Sequence, residues 1–237
     1  MSHEVTIHIA QTAILRELLF HPAAGFSELR EPTGLSSDHF SFHINRLVEL
    51  GLVEKTGQRG RYRLTTKGKE YANRLDTDNN TVERQPKVAV LLAIERFHEG
   101  ERQLLFQQRL KQPYFGYWGL PSGKLRWGET IVDGAARELL EETGLIAKLE
   151  IKGVYHEHAT NAESGELLED KVFFVIRCTE PIGTLTTEFE GGANSWMSVE
   201  EARGQAKVFG SFDTEIDIAD GKGVFVEDSY AIPTEEF

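Results

Sequence analysis

The sequence predicts two domains: an N-terminal helical domain with a β-hairpin over residues 1–76, and a C-terminal mixed α/β domain over 87–237, joined by a linker at 77–86. Three observations predict this division. The stretch from Asp76 to Pro86, DTDNNTVERQP, holds one aliphatic residue, Val82, and ends in proline, which is linker composition. Ahead of it, apolar residues recur at helical spacing and then give way to two short strands around a glycine-containing turn. Behind it, apolar runs at Lys87–Phe97 and Lys171–Arg177 flank a helix-periodic segment at 131–143, the mixture expected of an α/β unit.

In the first domain, Gln11–Phe20 reads as a helix with Ile14, Leu15, Leu18 and Leu19 on one side, stopped by Pro22. A short helical turn follows from Ser27 and is limited by Pro32. Ser36 or Ser37 caps a helix running to Leu50, whose Phe40, Ile44, Leu47 and Val48 keep the i, i+4, i+7, i+8 pattern. Leu52–Lys55 and Arg61–Thr65 form a hairpin around Thr56–Gly60, and a helix from about Lys67 to Leu75 closes the unit.

That order, with HINRLVELGLVEK followed by RYRLTTKGKEYA, resembles the winged helix-turn-helix of bacterial and archaeal transcription regulators. The resemblance implies that the Ser37–Leu50 helix enters the major groove of double-stranded DNA while the hairpin wing touches the backbone. Between Lys55 and Lys69 lie six basic residues and no acidic one, so Arg59, Arg61 and Arg63 are candidate phosphate contacts. Ser37 at the helix start, with Asn45 and Arg46 on its outward face, are the candidate readers. Phe42 also points outward, toward a thymine methyl or a partner subunit. The competing use of such a unit is dimerisation or protein docking. Regulators of this class usually pair, so a homodimer is the expectation.

In the second domain, Lys87–Phe97 and Gln103–Gln108 are strands across a polar turn. Gly128-Glu129-Thr130 opens the 131–143 helix and Gly144 ends it. Val132, Ala136, Leu139 and Leu140 fall on one stripe, expected to face a core, while Glu138, Glu141 and Glu142 cluster nearly opposite. Three like charges on one patch, with no lysine between Glu129 and Leu145, repel one another. A bound divalent cation resolves this; a solvated acidic face is the alternative. Carboxylate donors without His or Cys favour Mg²⁺, with Mn²⁺ as the second choice, and Mg²⁺ at such a site implies a phosphorylated substrate.

Residues 123–145, GKLRWGETIVDGAARELLEETGL, resemble the signature of the Nudix hydrolases, G-x5-E-x7-R-E-U-x-E-E-x-G-U with U a bulky aliphatic, at every defined position. The resemblance implies an α/β/α sandwich over roughly 87–210 and an enzyme that cleaves the pyrophosphate of a nucleoside diphosphate linked to another group. It implies that Glu138, Glu141 and Glu142 hold the metal with the Gly123 carbonyl nearby, and that Arg137 and Glu129 form a pair orienting those carboxylates. The family does not fix the position of the general base. Glu141 is the choice here, with Glu166, Glu169, Asp170, Glu188 and Glu190 as alternatives. Such proteins commonly carry Pro-Gly-Gly where this chain reads Pro121-Ser122-Gly123, a mild departure.

Trp127 either stacks on a base or packs under its loop, Arg126 is placed to meet a phosphate or ribose, and Tyr117 is expected at the pocket edge. His156 and His158 share a strand face; with no third His or Cys at ligand spacing they read as surface or pocket residues. Residues 211–237 are acidic, with few periodic cues, and receive no element.

The single cysteine, Cys178, excludes an intramolecular disulfide, and the apolar run Val88–Ile94 is too short to span a bilayer. Without a basic, apolar leader at the start, a cytoplasmic location is expected. Of the net charge of −12, residues 1–76 carry +1 and the remainder −13, so an acidic domain handling polyphosphates needs a cation between them. The second functional expectation is a transcription regulator whose C-terminal domain senses a nucleotide-type metabolite with little or no turnover.

Overall fold

The computed structural model describes residues 7–57, 60–76, 81–82 and 84–233, which divide into two compact units meeting at Arg84–Gln85. The first contains α1 (Ile9–Phe20), α2 (Phe26–Arg30), a 3-10 turn (Glu31–Thr33) and α3 (Ser37–Glu49). It continues with β1 (Val53–Lys55), β2 (Tyr62–Leu64) and α4 (Thr66–Ala72). Its core joins Ile14, Leu15 and Leu18 of α1 to Phe40, Ile44 and Leu47 of α3 and to Val53, Tyr62 and Leu64 of the hairpin. Ser36 is the cap of α3, its hydroxyl accepting from the His39 N–H. Val48, placed by periodicity on the buried stripe, is 39% exposed, because it lies at the edge where the helix leaves the core.

Composition reads 77–86 as linker, yet Thr81–Val82 (β4) pairs antiparallel with Leu75–Asp76 (β3). Backbone pairing needs little side-chain signal, so a two-residue ladder escapes a compositional reading.

The second unit is built on one mixed sheet. Its strands are β5 (Lys87–His98), β6 (Glu101–Arg109), β7 (Trp118–Gly119), β8 (Ser122–Lys124), β9 (Leu145–Asn161), β10 (Leu167–Gly183), β11 (Glu188–Phe189), β12 (Gly192–Met197) and β13 (Phe225–Ile232). The order is β11-β12-β6-β5-β10-β9-β13, with β7 on β6 and β8 on β5. β10 runs parallel to β5 and antiparallel to β9. The helices are α5 (Ile131–Thr143), α6 (Val199–Arg203) and α7 (Phe212–Ala219).

The run VAVLLAI in β5 lacks alternation because both its faces are covered. Val90, Leu92 and Ile94 pack with Ala135 and Leu139 of α5. Ala89, Leu91 and Ala93 pack with Phe212, Ile216 and Ala219 of α7. Helices on both faces of the sheet make an α/β/α sandwich.

Two expectations need correction. The stripe Val132, Ala136, Leu139, Leu140 is not the buried face of α5. Val132 is 47% and Leu140 53% exposed, and the buried positions are Gly134, Ala135, Leu139 and Thr143. Small residues decide the side, because they let the helix approach closely. A Cβ on Gly134 would stand 2.3 Å from Leu125 Cδ2. Second, 211–237 contains α7 and β13, the latter parallel to β9. No helix among the described residues is long and apolar enough to cross a membrane.

Candidate active site

Helix α5 is fixed by a cap at each end. Thr130 Oγ1 accepts from the Asp133 N–H, and Gly144 closes the helix in the left-handed conformation at φ 71°. Between these caps Arg137 ties the segment together. Its Nε and Nη2 grip the two Glu129 oxygens at 2.5 and 2.8 Å, and its Nη1 reaches Glu138 at 2.6 Å and Glu141 at 3.1 Å. Nη2 also donates to the Lys124 carbonyl at 3.0 Å, joining helix to loop. Hydrogen bonds from Arg137, and from the Arg126 N–H, pull the Glu129 carboxyl down to about 2.

Glu138 lies directly over Gly123: a Cβ there would come within 1.9 Å of Glu138 Cδ. Only glycine leaves room for that carboxylate against the β8 backbone. Glu142 is half-buried beside it. Burial raises its pKa; the Gln107 amide, donating at 3.0 Å, opposes this, and the Glu138 charge adds to it. Gln107 is shared with Asn194, whose amide also donates to the Glu142 carbonyl at 2.8 Å. Glu141 is more exposed and pairs with Arg126 Nη2 at 3.0 Å.

These groups open onto a cleft of about 590 Å³ lined by Gly123, Glu138, Glu141 and Glu142 on one side and by Lys87, Arg109, Lys111, Arg126 and Lys171 around them. Carboxylates crowded with oxygen donors only, one of them disfavoured as an anion, fit a hard dication. The surrounding ammonium and guanidinium groups fit phosphates.

Sequence reasoning missed most of that cationic wall. Lys87 and Lys171 come from parallel neighbours β5 and β10, where they are register partners, and Arg109 closes β6. Nothing local in the sequence announces such cross-strand meetings. Lys87 holds Glu169 Oε1 at 3.1 Å and Lys171 holds its Oε2. Burial pushes the Glu169 carboxyl up, but these ammoniums outweigh it and keep it below the usual range. Of the alternative bases, Glu169 lines the cleft; Asp170, next along β10, points to the other sheet face.

The remaining site expectations fare unevenly. Arg126 is at the cleft. Trp127 is 95% exposed, which removes the reading that it packs under its loop. Tyr117 is absent from the cleft lining and instead packs on Phe209 at 5.2 Å and Tyr114 at 5.9 Å. An aromatic-rich loop gives no sequence cue to which ring faces inward.

In the first unit, Ser37, Asn45 and Arg46 lie exposed on α3, with Phe42 68% exposed. Ser37 Oγ accepts from Arg30 at 2.8 Å. Each described arginine expected to contact DNA has an acidic neighbour: Arg46 with Glu49 at 2.9 Å, Arg61 with Glu28 at 3.2 Å, Arg63 with Glu54 at 2.5 Å. Arg59 lies outside the described residues.

The model of the NUDIX domain family matches residues 84–216. Among curated relatives, an ADP-ribose pyrophosphatase of Methanocaldococcus jannaschii is 30% identical over 89 residues, 37% of this chain and 53% of that protein. A MutT-like protein of Streptomyces ambofaciens is 38% identical over 87 residues, 36% of this chain and 51% of the relative. The chain thus spans about half the length of the curated relatives it matches. The NUDIX domain of Shewanella oneidensis NrtR, solved with ADP ribose, superposes with a TM-score of 0.51 at 17% identity, covering 67% of this chain and 99% of that one, a likeness of fold.

Proposed function

This chain belongs to the NUDIX family, and we propose that it is a Mg²⁺-dependent hydrolase cleaving the pyrophosphate of a nucleoside diphosphate derivative. The observation that carries this is the set Glu138, Glu141 and Glu142, with Glu138 packed against Gly123, lining a cationic cleft. Those three carboxylates, with the Gly123 carbonyl, are the residues that would hold the ion. A bound Mg²⁺ supplies polarisation of the diphosphate and activation of a water nucleophile.

The protein's own groups do the rest. Arg137 and Glu129 lock the turn so that Glu138 and Glu141 are presented together. Lys87, Lys171, Lys111 and Arg126 bind and orient the phosphate oxygens. Glu141, the most exposed of the three, accepts the proton of the attacking water. The exposed Trp127 stacks on the base of the nucleoside. Turnover of a panel of ADP-ribose, NADH, dinucleoside polyphosphates, nucleotide sugars and oxidised nucleoside triphosphates, with and without Mg²⁺, tests the reading by mass spectrometry. ADP-ribose is the first substrate to try, given the 30%-identical relative. Metal-dependent cleavage of at least one compound is expected. Binding without cleavage of any would transfer the function to metabolite sensing.

For the first unit we propose a winged helix that binds double-stranded DNA as a homodimer, with Asn45 and Arg46 of α3 over the bases and Arg61 and Arg63 on the backbone. The exposed polar face of α3 beside a basic hairpin supports this. DNA must displace Glu28, Glu49 and Glu54 from these arginines, at a small cost, since exposed pairs are worth about 0–1 kcal/mol. Selection from a random duplex library should enrich a two-fold site, and Arg61→Ala should lower the salt slope by about one. A library that returns no sequence leaves protein docking as the use of this unit.

A further inference from the structure

We propose that His156, His158 and Asp170 form a second metal site, for a borderline transition-metal dication such as Zn²⁺, distinct from the carboxylate cluster of the cleft. Alone on β9, the two histidines lack a third ligand, and the sequence offers none nearby. The sheet supplies it. His156 and His158 are two apart on one strand and so share a face. Asp170 of β10 is the register partner of His158, and Glu227 of β13 is the register partner of His156.

The resulting geometry is that of a ligand set. His156 Nε2 lies 2.9 Å and His158 Nε2 3.6 Å from the same oxygen, Asp170 Oδ1. One ligand atom from each of the three residues falls within 4.8 Å of the others. Tetrahedral Zn²⁺ with bonds of about 2.0–2.1 Å separates its ligands by roughly 3.3 Å, a value those two distances straddle. Three protein ligands leave the fourth position to water. Two imidazoles select against Mg²⁺ and Ca²⁺.

Glu227 supplies a second observation. Its Oε2 lies 2.7 Å from His156 Nδ1, which fixes the ring and leaves Nε2 for the ion. Ligating histidines are commonly oriented by a carboxylate on the other nitrogen in this way. The site also lies away from the cleft. Glu169, Lys171 and Phe173 line the cleft, whereas Asp170 and its neighbour Val172 alternate to the opposite face of β10. An ion here would staple β9 to β10.

The test titrates tag-free, chelator-stripped full-length protein with Zn²⁺ in competition with a chromophoric chelator. One equivalent is expected in the wild type, retained in Glu142→Gln and lost in His156→Ala/His158→Ala. Glu227→Gln should weaken binding by about 10- to 100-fold. Co²⁺ provides a readout independent of fold: visible absorption of tetrahedral intensity in the wild type, absent in His158→Asn. No stoichiometric uptake by the wild type would mean that His156 is simply an imidazolium held between Asp170 and Glu227, and would overturn the proposal. Uptake unchanged in the double variant would place the ion elsewhere and overturn it equally.

Discussion

Glu142 is poorly able to remain charged unaided, since burial raises its pKa and Glu138 adds repulsion. That strain is expected where a cation is to be bound, and it has opposite consequences for activity and stability. Glu142→Gln keeps the oxygen that accepts from Gln107 and removes the disfavoured charge. We expect Mg²⁺-dependent turnover to fall about 100-fold or more, a loss of several kcal/mol of transition-state stabilisation, while the melting temperature stays level or rises. Full activity in the variant would take Glu142 out of the metal set. The position of these glutamates along α5 was legible because i, i+3, i+4 spacing needs only a helix. The partners that fix their state, Gln107 and Asn194, come from β6 and β12 and carry no local mark.

At the scale of elements, the balance between propensity and packing is clearest in α4. Gly68 sits inside this seven-residue helix, where alanine would gain about 1 kcal/mol in propensity. A Cβ there would stand 1.8 Å from the Leu52 carbonyl oxygen, which belongs to backbone and cannot rotate away. Overpacking typically costs about 1–3 kcal/mol and here should win. Gly68→Ala is expected to lower the unfolding midpoint of the first unit by denaturant titration while sparing that of the second; unchanged stability would show that α4 can slide. The same principle explains where the sequence misled. In α5 helical spacing points to the bulky Val132 and Leu140 as core, but Gly134 and Ala135 mark the close-approach side. In α7, Phe212, Ile216 and Ala219 keep helical spacing, yet the helix has only eight residues, in an acidic stretch. β13, reading FVEDSYAI, has one buried side chain and so no apolar signal. The apolar runs Lys87–Phe97 of β5 and Lys171–Arg177 of β10 are plain in the sequence, although β10 extends beyond its run to Leu167 and Gly183.

For the molecule as a whole, buried acids tune stability to pH. Glu215 on α7 is fully enclosed and held by Ser211 Oγ at 2.7 Å; burial pushes its pKa from 4.5 up to about 8. Between these values the folded protein keeps a proton that the unfolded chain has lost. Stability is therefore fully present below 4.5 and falls as pH rises toward about 8, by as much as about 1.4 kcal/mol per pH unit from this group. Denaturant titrations from pH 5 to 8 should show the decline, and Glu215→Gln should flatten it. A profile identical to wild type would mean that another group governs it. Electrostatics at this scale was only half visible in the sequence: the −13 charge of residues 77–237 is a simple count, but which carboxylates stay protonated depends on enclosure.

The parallel pairing of β5 with β10 also bears on biosynthesis. Every proposed Mg²⁺ ligand lies between Gly123 and Glu142, so the ribosome delivers them before Lys171, which shares the cleft with Lys87 only after β10 has paired. Parallel pairings between distant segments form slowly because the intervening loop must first close. A nascent chain therefore displays its acidic helix before Lys171 completes the basic wall that would admit a polyphosphate, and full substrate capture waits for β10 to join the sheet.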